Sequence, residues 1–271
     1  MPVTQQADIK IWRRRTTGAQ LTVWFGWLIG VATFVYCWRL ISEKTIWFFV
    51  MDAPTQAADM AERMVPPKWS YMEQLWAPVW DTINIATLGT LIAIVIAVPV
   101  AFCAARNTTP SRTLVRPVAL FIIVSSRSIN SLIWALMLVT LIGPGVLAGV
   151  IAIGLRSIGF CAKLLYEAIE EIDHSQVEAI IATGASRSQQ LSFGIVPQIL
   201  PAFAGISVFR WDINIRESTV LGLVGAGGIG LQLDASISTL AWTQVSLILI
   251  VILATVIVSE WVSARVRHAI I

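Results

Sequence analysis

Six apolar stretches of about 20 residues divide this chain, and each is long enough to cross the hydrocarbon core of a bilayer as a helix. They run from Leu21 to Ile41, about Ile83 to Ala105, about Val118 to Leu141, about Val146 to Leu165, about Ile199 to Leu223 and about Leu240 to Val262. Charged residues make up only 13% of the chain and hydrophobic ones 56%, against about 25% charged in a soluble domain. That is too little charge to cover a globular surface and too much apolar bulk for one core. Disorder, whose signature is low hydrophobicity with high charge, is excluded by the same figures. The expected fold is an all-α polytopic membrane protein with about six transmembrane helices.

Lys and Arg in short loops set the orientation of such a chain. Lys10, Arg13, Arg14 and Arg15 precede the first span, Arg106, Arg112 and Arg116 separate the second from the third, and Arg265 and Arg267 follow the sixth. The alternate loops differ. Residues 141–146 carry no charge, residues 225–239 carry Asp234 alone, and residues 43–81 carry three basic and six acidic groups. Both termini are therefore expected in the cytoplasm, in agreement with an even number of spans. The first apolar stretch is too long for a signal peptide and lacks a small-residue cleavage pattern, so it reads as a retained anchor. The polar 43–81 segment, with Trp47, Phe48, Phe49, Trp69, Tyr71, Trp76 and Trp80, reads as an interfacial, partly helical stretch that Pro66-Pro67 breaks in two.

Several chemistries lack their residues. Cys37, Cys103 and Cys161 are far apart inside apolar stretches and read as small buried side chains. His174 and His268 are isolated, so no metal ligand set is expected. No nucleophile–base pair converges, so no catalytic residue is expected, and no basic run interleaved with aromatics points to nucleic acid. Gly225 to Gly230 satisfies G-x-G-x-x-G, but it follows an apolar span and no βαβ unit surrounds it, so it is not read as a dinucleotide site. There is no G-x-x-x-x-G-K-[ST], hence no P-loop of the chain's own.

The loop of residues 166–200 breaks the basic pattern of its side, with Glu167, Glu170, Glu171, Asp173 and Glu178 against Arg187. An acidic loop gains nothing from anionic lipid, so a protein partner explains it better. Asp173 or Ser175 is placed to cap a helix, and Gly184 lets that helix end. The segment resembles the EAA loop of ABC importer permeases, E-A-A-x3-G-x9-I-x-L-P, with Glu178, Ala179, Gly184 and Pro197 in register. Ile180 replaces the second Ala, Gly194 the Ile and Val196 the Leu. Residues 216–230, Arg216-Glu217-Ser218-Thr219-Val220-Leu221-Gly222-Leu223-Val224-Gly225-Ala226-Gly227-Gly228-Ile229-Gly230, are similar to the end of phosphonate- and phosphite-importer permeases. Arg127-Ser128-Ile129-Asn130 and residues 143–149 also look like that group, although Asn130-Ser131 stands where many relatives have Pro-Glu.

Ionisable groups at membrane depth are costly and therefore candidates for function, at about 2.5 kcal/mol or more each. Arg127 lies about ten residues into the third span and Arg156 about ten into the fourth. The fifth carries Arg210, Asp212, Asn214, Arg216 and Glu217. Arg210, Asn214 and Glu217 share one stripe at i, i+4, i+7, and Asp212, Arg216 and Thr219 form another on nearly the opposite side. A helix polar on two sides has to be surrounded by protein and cavity. Asp212 and Arg216, acid first at i, i+4, are also placed simply to neutralise one another. Four Arg against two acids leave a positive excess that would suit a small oxyanion, with Asn130 beside it. Gly225, Gly227, Gly228 and Gly230 permit a tight outer turn or gate, with or without a ligand on its N–H groups.

The resemblance implies an ABC type I importer permease architecture, with residues 1–20 a cytoplasmic segment, 21–80 the first span and interfacial stretch, 81–265 the permease core and 266–271 a cytoplasmic end. It implies a coupling helix at Glu178, Ala179, Gly184 and Ala185, with Pro197 beyond, seated on an ABC ATPase subunit that holds ATP and Mg. A periplasmic substrate-binding protein, a second permease copy as a homodimer and a place in the bacterial inner membrane are further implications. The implied cargo is a phosphonate or phosphite-like oxyanion. A methionine or other small-solute importer, and an autonomous anion channel, stay open as alternatives.

Overall fold

The structure, a computed structural model, describes residues 3–6, 9–12 and 17–270. Of the basic residues expected to orient the first span, Arg13, Arg14 and Arg15 lie outside the described residues. The chain divides into two compact units, Met1–Asp59 and Met60–Ile271.

The first unit opens with two short strands, β1 (Val3–Gln6) and β2 (Ile9–Trp12), paired antiparallel with Val3 opposite Trp12. They are a small departure from an all-helical chain. Helix α1 (Thr17–Lys44) is apolar on every side, with Trp24, Phe25, Phe34 and Trp38 all exposed within the chain. A helix with no polar face belongs in lipid or against another apolar surface. Helix α2 (Trp47–Arg63) follows, and the chain is non-helical from Val65 to Lys68, where Pro66 and Pro67 withdraw two N–H donors.

In the second unit a 3₁₀ turn (Trp69–Tyr71) leads into α3 (Met72–Ala104). The sequence placed the start of this span near Ile83; the helix begins eleven residues earlier, and Met72, Leu75 and Val79 on one face of the added turns pack with Ile229, Leu247 and Ile248. There follow α4 (Val115–Ser128), α5 (Ser131–Ile142), α6 (Val146–Glu170), α7 (His174–Ala182), a three-residue α8 (Arg187–Gln189) running into a π-helix (Gln190–Ile195), α9 (Val196–Gly222), α10 (Ile229–Ser238) and α11 (Trp242–Ile270). Among the described residues five helical stretches are long and apolar enough to span a membrane, and the bent pair α4–α5 makes a sixth.

That bent pair is the main departure from the expected spans. The third apolar stretch is not one helix: α4 and α5 meet at 85°. The cause is local. Ile129 is extended, and Asn130, also extended, accepts from the Leu132 N–H through its side chain and so starts a new helix instead of continuing the old one.

Close packing of the core rests on small side chains. On α3, Ala86, Gly89, Ala93, Ala97, Ala101 and Ala104 recur every three or four residues and are buried, which lets neighbouring backbones approach as they do in membrane bundles. A Cβ on Gly89 would come within 2.8 Å of Ile153 on α6, and one on Gly159 of α6 within 2.6 Å of the Ile123 carbonyl on α4. Two apolar clusters flank the middle of α6. One joins Ala97, Ala101, Ile123, Cys161, Leu165 and Ile199; the other joins Ile85, Ala135, Ile153 and Leu221. Between them, at Arg156 and Ser157, the core is polar.

Candidate functional site

The expected stripe on α9 faces that polar gap. Arg210 is 2% exposed. Its Nε donates to Ser157 Oγ at 2.9 Å, its Nη2 donates to Glu217 Oε2 at 3.3 Å, and its guanidinium lies 5.0 Å over the Phe160 ring. Glu217 accepts at its other oxygen from Arg156 Nη1 at 2.7 Å, and the same nitrogen donates to Ser131 Oγ on α5 at 3.2 Å. Ser157 Oγ donates to Asn214 Oδ1 at 3.2 Å, and Asn214 Nδ2 donates to Thr90 Oγ1 on α3 at 2.7 Å. One connected network thus ties α3, α5, α6 and α9. Two guanidiniums share one carboxylate in it, so it keeps a net positive charge.

The second stripe reaches a different neighbour, α11. Asp212 pairs with Arg216 one turn on and accepts from Ser259 Oγ of α11 at 2.8 Å. The carboxylate is buried, while the Arg216 side chain is 46% exposed. The two stripes therefore stay apart: Arg210, Asn214 and Glu217 join Arg156 in one network, whereas Asp212 pairs with Arg216 and reaches α11 through Ser259.

Arg127, in the last turn of α4, joins neither group. It is exposed and has no hydrogen bond or ion pair among the described residues. Asn130 is occupied in capping α5. The members the sequence reasoning missed are Thr90, Ser131, Ser157, Phe160 and Ser259. Small hydroxyls and a phenyl ring within apolar helices also serve ordinary packing, so no single-sequence signal marks them.

The acidic loop forms the expected helix, α7. Asp173 Oδ1 accepts from the Ser175 N–H at 2.9 Å and hydroxyl at 2.7 Å, which caps the helix and holds the Asp173 carboxyl below the ordinary carboxylate range. Glu178 and Ala179 are exposed. The helix ends before Gly184, whose φ of +82° is left-handed and disfavours any side chain. The carbonyl of Ala185 accepts from Gln190 Nε2 at 2.8 Å, and Pro197 stands in the first turn of α9. Val177 and Ile180 of α7 pack on Gly194 in the π-helix, where a Cβ would come within 3.3 Å of Ile180 Cδ1. Ile180 and Gly194 are two of the departures from the EAA pattern. They face one another, the larger side chain at one position filling space vacated at the other.

Gly225, Gly227 and Gly228 all have φ near +80° and form the turn between α9 and α10. The Gly225 carbonyl accepts from the Gly145 N–H at 3.0 Å, and the Ile229 N–H donates to Thr82 Oγ1 at 2.8 Å. Gly230 lets two backbones touch, since a Cβ there would lie 1.9 Å from the Thr219 carbonyl.

Comparison with known proteins agrees with this architecture. Residues 97–268 match the family model described as binding-protein-dependent transport system inner membrane component. The chain is 39% identical over 246 residues to the phosphite transport system permease protein PtxC of Stutzerimonas stutzeri, covering 85% of this chain and 89% of the relative. It is 35% identical over 240 residues to the phosphate-import permease protein PhnE of Mycolicibacterium smegmatis, covering 89% of this chain and 44% of that one. The fold is similar to that of an inward-facing MetNI methionine ABC transporter structure, with a TM-score of 0.66 and 21% identity over 75% of this chain and 99% of the other. A multi-helix bundle with a polar seam, an EAA-like helix and a match to the family model over most of its length place the chain in the family of inner membrane components of binding-protein-dependent transport systems.

Proposed function

We propose that this chain is the translocation subunit of an ABC importer for phosphonate or phosphite-like oxyanions, and that it performs no chemistry of its own. The observation that carries the substrate class is the charge balance of the seam. Arg156 and Arg210 share Glu217, and Arg127 has no partner among the described residues. Guanidinium forks match tetrahedral oxyanions through paired N–H donors, and the similarity to a phosphite permease points the same way. A cation would meet repulsion on that seam.

In this reading residues 1–20 and 266–271 lie in the cytoplasm. A second copy completes the pathway between two sets of residues 81–265. A periplasmic binding protein delivers the oxyanion near the glycine turn, at Gly225, Gly227, Gly228 and Gly230. ATPase subunits, which supply ATP and Mg, seat the exposed Glu178–Ala179 face of α7. Movement of α7 passes through Val177 and Ile180 to the π-helix and so to α9, the helix that carries Arg210 and Glu217. A π-helical stretch is a common site of functional adjustment within helices. Access then alternates as the helices shift about this seam.

The test is uptake into proteoliposomes that hold this chain with its ATPase and binding protein, offered labelled phosphite, methylphosphonate and phosphate with and without ATP. The expected result is ATP-dependent uptake of at least one of the three, abolished by Gly184→Asp. Uptake that ignores ATP would show a channel instead. Uptake of methionine but none of the oxyanions would sink the substrate class.

A further inference from the structure

A second basic site lies away from the seam, beside α7. A cavity of about 630 Å³ is lined by Arg106, Arg112, His174 and Arg187, with Thr108 and Gln190 among its other polar residues, and no carboxylate lines it. Its volume falls within the range of small-molecule sites. Arg112 and Arg187 are exposed, and their side chains have no hydrogen bond or ion pair among the described residues. Arg106 is held through its backbone N–H, which donates to Glu170 at 2.8 Å, and its guanidinium reaches the same carboxylate only at 3.9 Å. Asp173, which precedes His174 in the chain, is engaged in capping α7. The basic groups come from two places: Arg106 and Arg112 from the α3–α4 loop, His174 and Arg187 from α7 and α8.

We propose that this cavity is a binding site for a phosphate-type oxyanion, distinct from the translocation seam. Like charges brought together around an open cavity repel one another, and an oxyanion that accepts from both sides relieves that repulsion with charge-assisted hydrogen bonds. Because it would bridge the α3–α4 loop to α7 and α8, its occupancy would restrain α7 against the helical core. The ligand chemistry is shared by free phosphate and by the headgroup of an anionic lipid. The proposal rests on the lining alone and stands whether or not the cargo is an oxyanion.

The test is equilibrium dialysis of labelled inorganic phosphate against the full-length chain in phosphatidylcholine nanodiscs, first alone and then with its ATPase subunits saturated with a non-hydrolysable ATP analogue. The wild type is expected to bind one equivalent per chain that Arg112→Gln/Arg187→Gln loses or weakens at least tenfold. Arg127→Gln should retain that equivalent. Both altered side chains are exposed and unpaired among the described residues, so thermal unfolding of the double variant should be unchanged. Loss of the equivalent on adding phosphatidylglycerol would keep the site and name a lipid headgroup as its occupant. Equal binding by wild type and double variant overturns the proposal. So does binding that vanishes whenever the ATPase subunits are present, which would show that the partner fills the cavity.

Discussion

Arg156 on α6 and Glu217 on α9 meet at 2.7 Å in the middle of the helical core, and Glu217 also takes Arg210 at 3.3 Å. The carboxylate is the acid that both guanidiniums share. Removing it leaves Arg210, whose side chain is 3% exposed, as a buried cation without a counter-ion, held by Ser157 and the Phe160 ring. Breaking one side of a buried ion pair costs about 3–5 kcal/mol. Glu217→Ala is therefore expected to lower the thermal unfolding midpoint sharply. Combining it with Arg210→Met should recover part of the loss, which unfolding in detergent would register.

The facing pair Ile180 and Gly194 gives a prediction by exchange. A side chain at Gly194 would press on Ile180 Cδ1 and Val177 Cγ2, both within 3.4 Å of the position of its Cβ. Gly194→Ile alone should cost about 1–3 kcal/mol by overpacking. Ile180→Ala/Gly194→Ile restores the EAA pattern at both positions and should be closer to wild type than the sum of the two single changes. A double-mutant cycle on ATP-dependent uptake and thermal stability measures that coupling.

Glycines in this chain are not equivalent. Gly230→Ala would drive a methyl into the Thr219 carbonyl at 1.9 Å, whereas a Cβ on Gly205 meets nothing within 4 Å. The first substitution should reduce the yield of folded, monodisperse protein several-fold. The second should leave it unchanged or slightly improved, since alanine is the better helix former. Size-exclusion profiles after matched expression separate the two.

For Arg127 the expectation is functional. Its side chain is exposed and has no hydrogen bond or ion pair among the described residues. Arg127→Gln should leave the unfolding midpoint in place while weakening apparent oxyanion affinity roughly ten- to hundredfold, the range of one hydrogen bond to a charged group. Unchanged uptake kinetics would remove Arg127 from the pathway.

The α7 cap carries a pH dependence. Hydrogen bonds from Ser175 depress the Asp173 carboxyl below its ordinary value. The stabilisation is present at any pH above the unfolded carboxylate range, about 3.9, and is lost as pH falls through the depressed folded value. Between pH 5 and 8 the cap should therefore be fully formed, and protection of the residue 175–181 amides against hydrogen exchange, corrected for intrinsic rates, should be flat. Asp173→Asn should keep most of that protection, because Asn also caps, and should abolish its decline in acid.

Much of this architecture is legible in the chain alone because the bilayer imposes a length and an apolarity that few residues can satisfy. The spans, the helix at residues 174–182, its stop at Gly184 and the two stripes of α9 all follow from local periodicity, capping and spacing. The sequence also shows that Asp212 and Arg216 lie within reach of each other, since they are one turn apart on one helix.

Partnership across helices is a different matter. That Arg156 shares Glu217 with Arg210, and that Ser157 and Thr90 complete the network, depends on how α3, α6 and α9 pack; that Ile180 fits over Gly194 depends on how α7 folds back on the π-helix, and sequence spacing encodes neither. The break at Asn130 is an intermediate case: its capping chemistry is local, but an apolar run on both sides reads equally well as one continuous span. Local chemistry thus determined which helices form and which faces are polar. Only tertiary packing decided which charges are neutralised and which, like Arg127, have no partner among the described residues.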